Sequence, residues 1–179
     1  MIIGLTGKAG VGKDTVADYL VGRHGFVKLS FATALKRGLN AMFGFSMKQW
    51  EDRVWKETVL PEFGKSPRQL AQTLGTEWGR TLVKPDLWPS LTMEEAKTFP
   101  NVVISDVRFD NEAQAVWQAK GYVLQIERKV EAVAEHSSEQ GVRGQLLSYI
   151  IPNNGSVHDL ADSIDNLLFR LQGGHSHGF

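Results

Sequence analysis

The sequence predicts an α/β protein built on one mostly parallel, five-stranded sheet with helices on both faces. Three observations point there. Short apolar runs alternate with helix-periodic segments along the chain. The first run, Met1 to Thr6, leads directly into a glycine-rich loop and then a helix. A later run, Asn101-Val102-Val103-Ile104-Ser105-Asp106, is largely apolar and ends in a carboxylate, the form of a strand buried on both faces. In such a sheet, ligands bind beyond the C-terminal ends of the strands.

Met1-Ile2-Ile3-Gly4-Leu5-Thr6 reads as the first strand and Gly7-Lys8-Ala9-Gly10-Val11-Gly12-Lys13-Asp14-Thr15 as the loop that follows. Gly7 and Gly12 stand at P-loop spacing with Lys13 next, and Val16, Ala17, Tyr19 and Leu20 carry the period of a helix. A chain that wraps phosphate oxygens aims successive backbone N–H groups inward, in conformations that a Cβ obstructs. The helix N-terminus adds partial positive charge. Gly7, Gly10, Val11, Gly12, Lys13, Asp14 and Thr15 are therefore the candidate nucleotide-phosphate residues. Lys13 is expected to reach the β- and γ-phosphates, and the Thr15 hydroxyl the α-phosphate. Position 14 departs from the pattern. Ser or Thr usually stands there and helps to hold Mg²⁺, whereas Asp14 would either hold the metal through water or cap the helix.

A chain of 179 residues and 19.9 kDa suits one domain, with room for a small inserted subdomain. Lys and Arg total 20, as do Asp and Glu, so no basic field draws in DNA or RNA, and direct nucleic-acid binding is not expected. The absence of cysteine excludes disulfides, thiolate metal sites and Cys nucleophiles. The N-terminus lacks the pattern of a signal peptide and no run has the length of a membrane span, so a cytoplasmic protein is expected. The glycine-rich end, 173–179, reads as a flexible tail in which His175 and His177 are frayed residues rather than metal ligands.

After the first helix, Gly22 to Gly25 read as its stop and Phe26 to Ser30 as a second strand. Phe31 to Phe43 is helical, with Lys36 and Arg37 as cations that face either an anionic substrate or solvent. Met47 to Val59 can form a further helix, followed by the breakers Pro61, Gly64 and Pro67. Ser66 is an N-cap, Pro67 occupies the first turn, and the helix runs on through Arg68, Gln69, Gln72 and Trp78 to Arg80. Arg68 and Gln72 lie four apart on one face, either reading a base edge or phosphate or forming a surface pair. Asp106 stands where it can orient water on Mg²⁺, and Arg108 where it can clamp a phosphoryl oxygen; a structural Asp–Arg pair is the alternative. A helix from Asp110 to Lys120 stops at Gly121, a strand runs from Tyr122 to Glu127, and Arg128 to Leu147 is polar, with His136 more suited to structural hydrogen bonding than to catalysis. Leu147 to Ile151 is the last strand, Asn153 to Ser156 a turn ending in an N-cap, and Val157 to Leu171 the closing helix.

Several of these segments together resemble the deoxynucleoside monophosphate kinases of tailed bacteriophages. They are Gly12-Lys13-Asp14-Thr15, Ser66-Pro67-Arg68-Gln69 with Gln72 to Glu77, Asp106-Val107-Arg108 with Asn111-Glu112, Ile126-Glu127-Arg128, His136 with Ser138-Glu139, and Asn153-Asn154-Gly155-Ser156. The order is the family's and nearly the whole chain is covered. The family commonly carries Asp at position 14, but often has Asp-Pro where this chain has Thr33-Ala34.

The resemblance implies an adenylate-kinase-like P-loop kinase fold and transfer of the ATP γ-phosphoryl group to a deoxynucleoside 5′-monophosphate. It implies an acceptor-binding helical region over about 31–98 and a lid over about 128–147. Lys13, Asp106, Arg108 and Arg128 would then serve catalysis, Asn154 and Gly155 would join the P-loop around ATP, and Lys36, Arg68, Gln69, Gln72 and Trp78 would bind the acceptor. Asp14 and Asp106 would hold Mg²⁺, through water. The enzyme would act as a monomer or homodimer in the cytoplasm of an infected bacterial host, supplying phage DNA synthesis. The P-loop alone leaves other readings open: a kinase of the dephospho-coenzyme A or phosphomevalonate type, an ATP-driven nucleic-acid-binding protein, or a silent nucleotide-binding module.

Overall fold

A computed structural model describes residues 1–128 and 142–173. The chain divides into two compact units, Met1–Leu29 with Phe99–Phe179, and Ser30–Thr98.

The first unit holds the sheet. Its strands are β1 (Ile2–Thr6), β2 (Val27–Leu29), β3 (Val102–Ile104), β4 (Tyr122–Glu127) and β5 (Tyr149–Pro152), in the order β2-β3-β1-β4-β5. Every pairing is parallel. β1 is central and buried on both faces, Ile3 and Leu5 on one and Gly4 and Thr6 on the other, and Val102, Val103 and Ile104 of β3 beside it are fully buried. The helix α1 (Lys13–His24) shares a core with α7 (Val157–Gly173), in which Val16 and Leu20 meet Leu160 and Ile164. The helix α6 (Asp110–Gln118) packs on β1 and β4.

Local chemistry sets the ends of these elements. The α1 helix runs through Gly22 and stops at Gly25, whose φ of 68° lets its N–H reach the Leu20 carbonyl. The α6 helix ends at Gln118, two residues short of the expected Lys120, and Lys120 itself takes a left-handed φ of 56° before Gly121. β5 starts two residues later than the sequence predicts, because Leu147 closes a 3₁₀ turn over Gly144–Leu146. Ser156 caps α7 as expected: its hydroxyl accepts from the Asp159 N–H at 3.2 Å, while Asp159 accepts from the Ser156 N–H at 2.8 Å.

The second unit is helical: α2 (Ala32–Phe43), a 3₁₀ turn (Met47–Glu51), α3 (Arg53–Glu57), α4 (Pro67–Gln72), which continues as a π-helical run (Thr73–Val83), and α5 (Leu87–Ala96). The expected single helix over Met47 to Val59 is interrupted at Asp52. Its carboxylate accepts the N–H groups of Val54 and Trp55 at 2.8 and 3.1 Å, which makes it the N-cap of α3 and ends the preceding turn. Leu35, Leu39, Trp50 and Trp88 form the core, and Trp50, Trp55 and Phe45 meet edge to face. The π-helical run seats Trp88 through its glycines. The Trp88 indole donates to the Gly75 carbonyl at 2.8 Å and lies where a Cβ on Gly79 would come within 2.6 Å of it. With Thr33-Ala34 in place of Asp-Pro, Ser30 initiates α2: its hydroxyl accepts from the Ala32 N–H at 3.1 Å and its carbonyl from the Thr33 N–H at 2.9 Å.

Candidate active site

The loop after β1 has the conformation its glycines permit. Gly7 and Gly12 adopt φ of 131° and 104°, and both are closely approached: a Cβ would lie 2.4 Å from the Ile126 carbonyl oxygen at Gly7 and 2.5 Å from the Asn153 amide at Gly12. Between them, the Val11 side chain is buried in the core and ties the loop to the sheet, so that Val11 can meet a ligand only through its backbone. The α1 helix begins at Lys13 behind Gly12, an N-cap residue that has no side chain to cap the first turn, and such a helix start favours an anion. The Lys13 ammonium donates to the carbonyls of Gly7 and Lys8, both at 2.7 Å, and so spans the loop.

Asp14 does not cap α1, contrary to one of the two expectations for it. Its exposed carboxylate pairs with Lys28 at 3.1 Å, and Lys28 also reaches Asp18 at 2.9 Å. Burial works to lower the Lys28 pKa, but hydrogen bonds to Asp18 and Asp14 outweigh it and raise the ammonium above the ordinary lysine value. Thr15 is exposed on the same first turn.

The sheet register sets Gly4 beside Ile104 and Thr6 beside Gln125, so β1, β3 and β4 end close together. The loop carrying Lys13, the half-buried Asp106, and the exposed Arg108 and Arg128 thus all follow the C-terminal edge of the sheet. Glu112, only 2% exposed, accepts the backbone N–H groups of Arg108 and Phe109 and fixes the turn into α6. Asn154 and Gly155 lie exposed in the turn between β5 and α7. Sequence reasoning assigned no role to two residues, Glu112 and Asn153. An acidic residue in the first turn of a helix was a legible signal for Glu112.

Within the second unit, Arg68 and Gln72 are both exposed, and the Arg68 Nε pairs with Glu57 at 2.5 Å. Gln69 is partly committed: its amide oxygen accepts the Ser66 N–H at 2.9 Å and closes a capping box, which fixes the side chain and leaves its NH₂ as a donor for a ligand. Trp78 is 47% exposed. The Lys36 ammonium lies 5.9 Å from the centre of the Trp50 ring, and Arg37 pairs with Glu95 on α5 at 3.0 Å.

Of the range read as a lid, residues 129–141, with Lys129, His136, Ser138 and Glu139, lie outside the described residues, as do His175 and His177. The described end of that range is anchored. Val142 and Leu146 are buried, and Arg143 binds Asp110 through both its backbone N–H, at 3.0 Å, and its guanidinium. Chiefly through that backbone N–H, Arg143 holds the Asp110 carboxyl below the ordinary carboxylate value.

Among the described residues, no three His, Asp or Glu side chains gather as a metal cage. Mg²⁺ that arrives with a nucleotide needs only one or two carboxylates beside its phosphate oxygens and waters. The exposed Asp14 and the Asp106 that follows β3 are carboxylates of that kind.

A family model described as deoxynucleotide monophosphate kinase matches residues 55–164, more than half of the chain. A protein of Acanthamoeba polyphaga mimivirus, proposed as a deoxynucleotide monophosphate kinase, is 33% identical over 182 residues that cover 92% of this chain and 94% of the relative. The deoxynucleoside-5′-monophosphate kinase of Escherichia phage T5 is 26% identical over 237 residues, covering 93% of this chain and 92% of that one. Among solved structures, a dephospho-CoA kinase from Campylobacter jejuni aligns with a TM-score of 0.54 at 14% identity, over 97% of this chain and 98% of that one, a likeness of fold alone.

Proposed function

The chain belongs to the deoxynucleotide monophosphate kinase family, and from that premise we propose that it transfers the γ-phosphoryl group of ATP to a deoxynucleoside 5′-monophosphate, yielding ADP and a deoxynucleoside diphosphate. The observation that carries the reading is the glycine loop spanned by Lys13 at the uncapped start of α1. Phosphoryl transfer asks little covalent chemistry of the protein. It requires two phosphates in line and charge neutralised where it develops. Backbone N–H groups from Gly10 to Thr15 hold the donor phosphates, and the Lys13 ammonium exchanges its loop carbonyls for phosphate oxygens. Asn154 and Gly155 complete the donor side.

Arg108 and Arg128 neutralise charge on the transferred group, and Glu112 positions Arg108 by holding its backbone. Mg²⁺ bound with ATP supplies further neutralisation, and Asp14 and Asp106 would hold it through water. The acceptor is assigned to the second unit: Arg68 and Gln72 present donors from a helix stiffened by Pro67, Lys36 adds a cation, Trp78 offers a ring face for a base, and the NH₂ of Gln69 adds a donor. The product fits supply of DNA precursors in an infected bacterial cytoplasm. Among the described residues, no helix is long and apolar enough to cross a membrane.

The test is to incubate the purified protein with ATP, Mg²⁺ and each of the four deoxynucleoside monophosphates and their ribose counterparts, and to separate the products by chromatography. A deoxynucleoside diphosphate formed with one ADP per turnover is expected. ATP hydrolysis stimulated by DNA, with no diphosphate from any acceptor, would overturn the reading.

A further inference from the structure

We propose that Asn153 is a positioning residue for the donor phosphates, acting through the Val11–Gly12 peptide. The inference rests on the phosphate-cradle reading of the loop. Asn153 is the first residue beyond β5, and its N–H extends the ladder by donating to the Glu127 carbonyl at 2.6 Å. Side chains alternate along a strand, and the chain here alternates with them: Ile151 is buried, Pro152 exposed and Asn153 buried at 7% exposure. Asn153 therefore occupies the core-facing place where the pattern calls for another apolar residue. A buried amide there is costly unless partnered. Its partner is the loop itself, for Nδ2 donates to the Val11 carbonyl at 2.8 Å.

The consequence follows from peptide geometry. In a trans peptide the C=O and the next N–H point in opposite directions. Holding the Val11 carbonyl towards Asn153 turns the Gly12 N–H away from Asn153. Gly12 then has a fixed N–H at the start of α1, where donors of the cradle converge. The buried Val11 side chain pins the same residue from its other end. The close approach of Asn153 to Gly12, 2.5 Å from a notional Cβ, also gives Gly12 a second reason to be glycine besides its φ of 104°. Asn153 adjoins Asn154 and Gly155, so one short turn links the proposed donor residues after β5 to the phosphate loop.

Asn153→Asp keeps the shape and removes the donor, and Asn153→Ala removes the side chain. Both should raise the KM for ATP about tenfold, the order expected when a buried acceptor loses its donor, with the KM for the monophosphate within about twofold. A residue that only stabilised the fold would lower the thermal midpoint and leave the KM of the folded fraction unchanged. An unchanged KM for ATP in either folded variant overturns the proposal. Should neither variant fold, NMR of the unmodified protein decides. The Asn153 side-chain amide protons should exchange slowly and shift on addition of inorganic pyrophosphate, whereas fast exchange and indifference to pyrophosphate overturn the tether. Lys13→Ala, assayed in parallel, separates the two readings. If it silences turnover while the Asn153 variants keep the KM for ATP, only the tether fails. If it leaves turnover intact, the cradle reading fails and the tether with it.

Discussion

The carboxylate of Glu112 accepts the backbone N–H of Arg108 at 2.8 Å from a site only 2% exposed. The same oxygen takes the Phe109 N–H at 3.1 Å. A carboxyl so deeply buried is tolerated because it has donors and lies in the first turn of α6, where the helix dipole favours an acidic residue. The direction of the chain between Asp106 and α6 is thereby fixed. Glu112→Ala would leave both N–H groups without that acceptor and should lower stability by about 2–3 kcal/mol, as judged by urea denaturation. Glu112→Gln retains an acceptor oxygen and should lose less. A loss under about 0.5 kcal/mol for the alanine variant would show that water replaces the carboxylate.

Lys13 donates to two carbonyls of its own loop and is only half-buried. Lys13→Ala should therefore unfold cooperatively near the wild-type midpoint, yet turn over at least about a hundredfold more slowly, because the cation that follows charge onto the transferring group is gone. Near-normal turnover in the folded variant would sink the P-loop assignment.

Among the described residues, three carboxyls with lowered pKa set the expected response to acid. The Ser156 hydroxyl chiefly lowers the Asp159 pKa, and the Arg143 backbone N–H that of Asp110. At Asp165, burial pushes upward, but hydrogen bonds from His24 and Tyr19 reverse it and leave the pKa below the ordinary value. A carboxyl whose pKa is lower folded than unfolded contributes stability that is present above its unfolded value, and this is lost as pH falls through the folded value. The thermal midpoint should thus fall as pH drops from about 5 to about 2, and Asp165→Asn should make that fall shallower. A midpoint that rises on acidification across this range contradicts the assignment.

β1 and β3 were legible because burial on both faces wrote them as largely apolar runs, whereas the edge strands β2 and β5 are partly exposed, and Ser66 and Ser156 announced two helix starts through their chemistry. Other features depended on information that local patterns lack. Asp52 falls within a helical period, and only its side chain's competition for the Val54 and Trp55 N–H groups turns one helix into two. The fit of Trp88 against Gly75 and Gly79 in the π-helical run joins residues brought together by tertiary packing. At the site, Gly12 and Lys13 were legible from spacing, whereas Asn153 acts on a residue 142 positions away and gives no sign of its partner in the sequence.

Asp14 pairs with Lys28 at 3.1 Å, and its side chain is 85% exposed, so the ion pair is weak and its carboxylate remains accessible. If Asp14 organises water around Mg²⁺, Asp14→Ser should raise the Mg²⁺ concentration for half-maximal turnover about tenfold while sparing the acceptor KM. Superimposable magnesium titrations for the two proteins would leave Asp14 as no more than a partner of Lys28.

Arg68 and Glu57 meet at 2.5 Å with side chains 61% and 58% exposed. The guanidinium assigned to the acceptor is therefore already occupied by a carboxylate of its own unit. An exposed pair of this kind contributes only about 0–1 kcal/mol, whereas an arginine that grips phosphate with charge-assisted bonds contributes about 1.5–3 kcal/mol. The acceptor should consequently displace Glu57 at small cost. Arg68→Ala should raise the acceptor KM about ten- to a hundredfold and leave the KM for ATP within about twofold. Glu57→Gln should lower the acceptor KM about two- to fivefold, because the competing charge is gone while Arg68 remains. In the double variant, Glu57→Gln should bring no gain, since it has no guanidinium to release. If Glu57→Gln improves the acceptor equally with and without Arg68, the two residues act separately. If Arg68→Ala weakens ATP and spares the monophosphate, this helix belongs to the donor, and the division of labour between the units is the reverse of the one proposed.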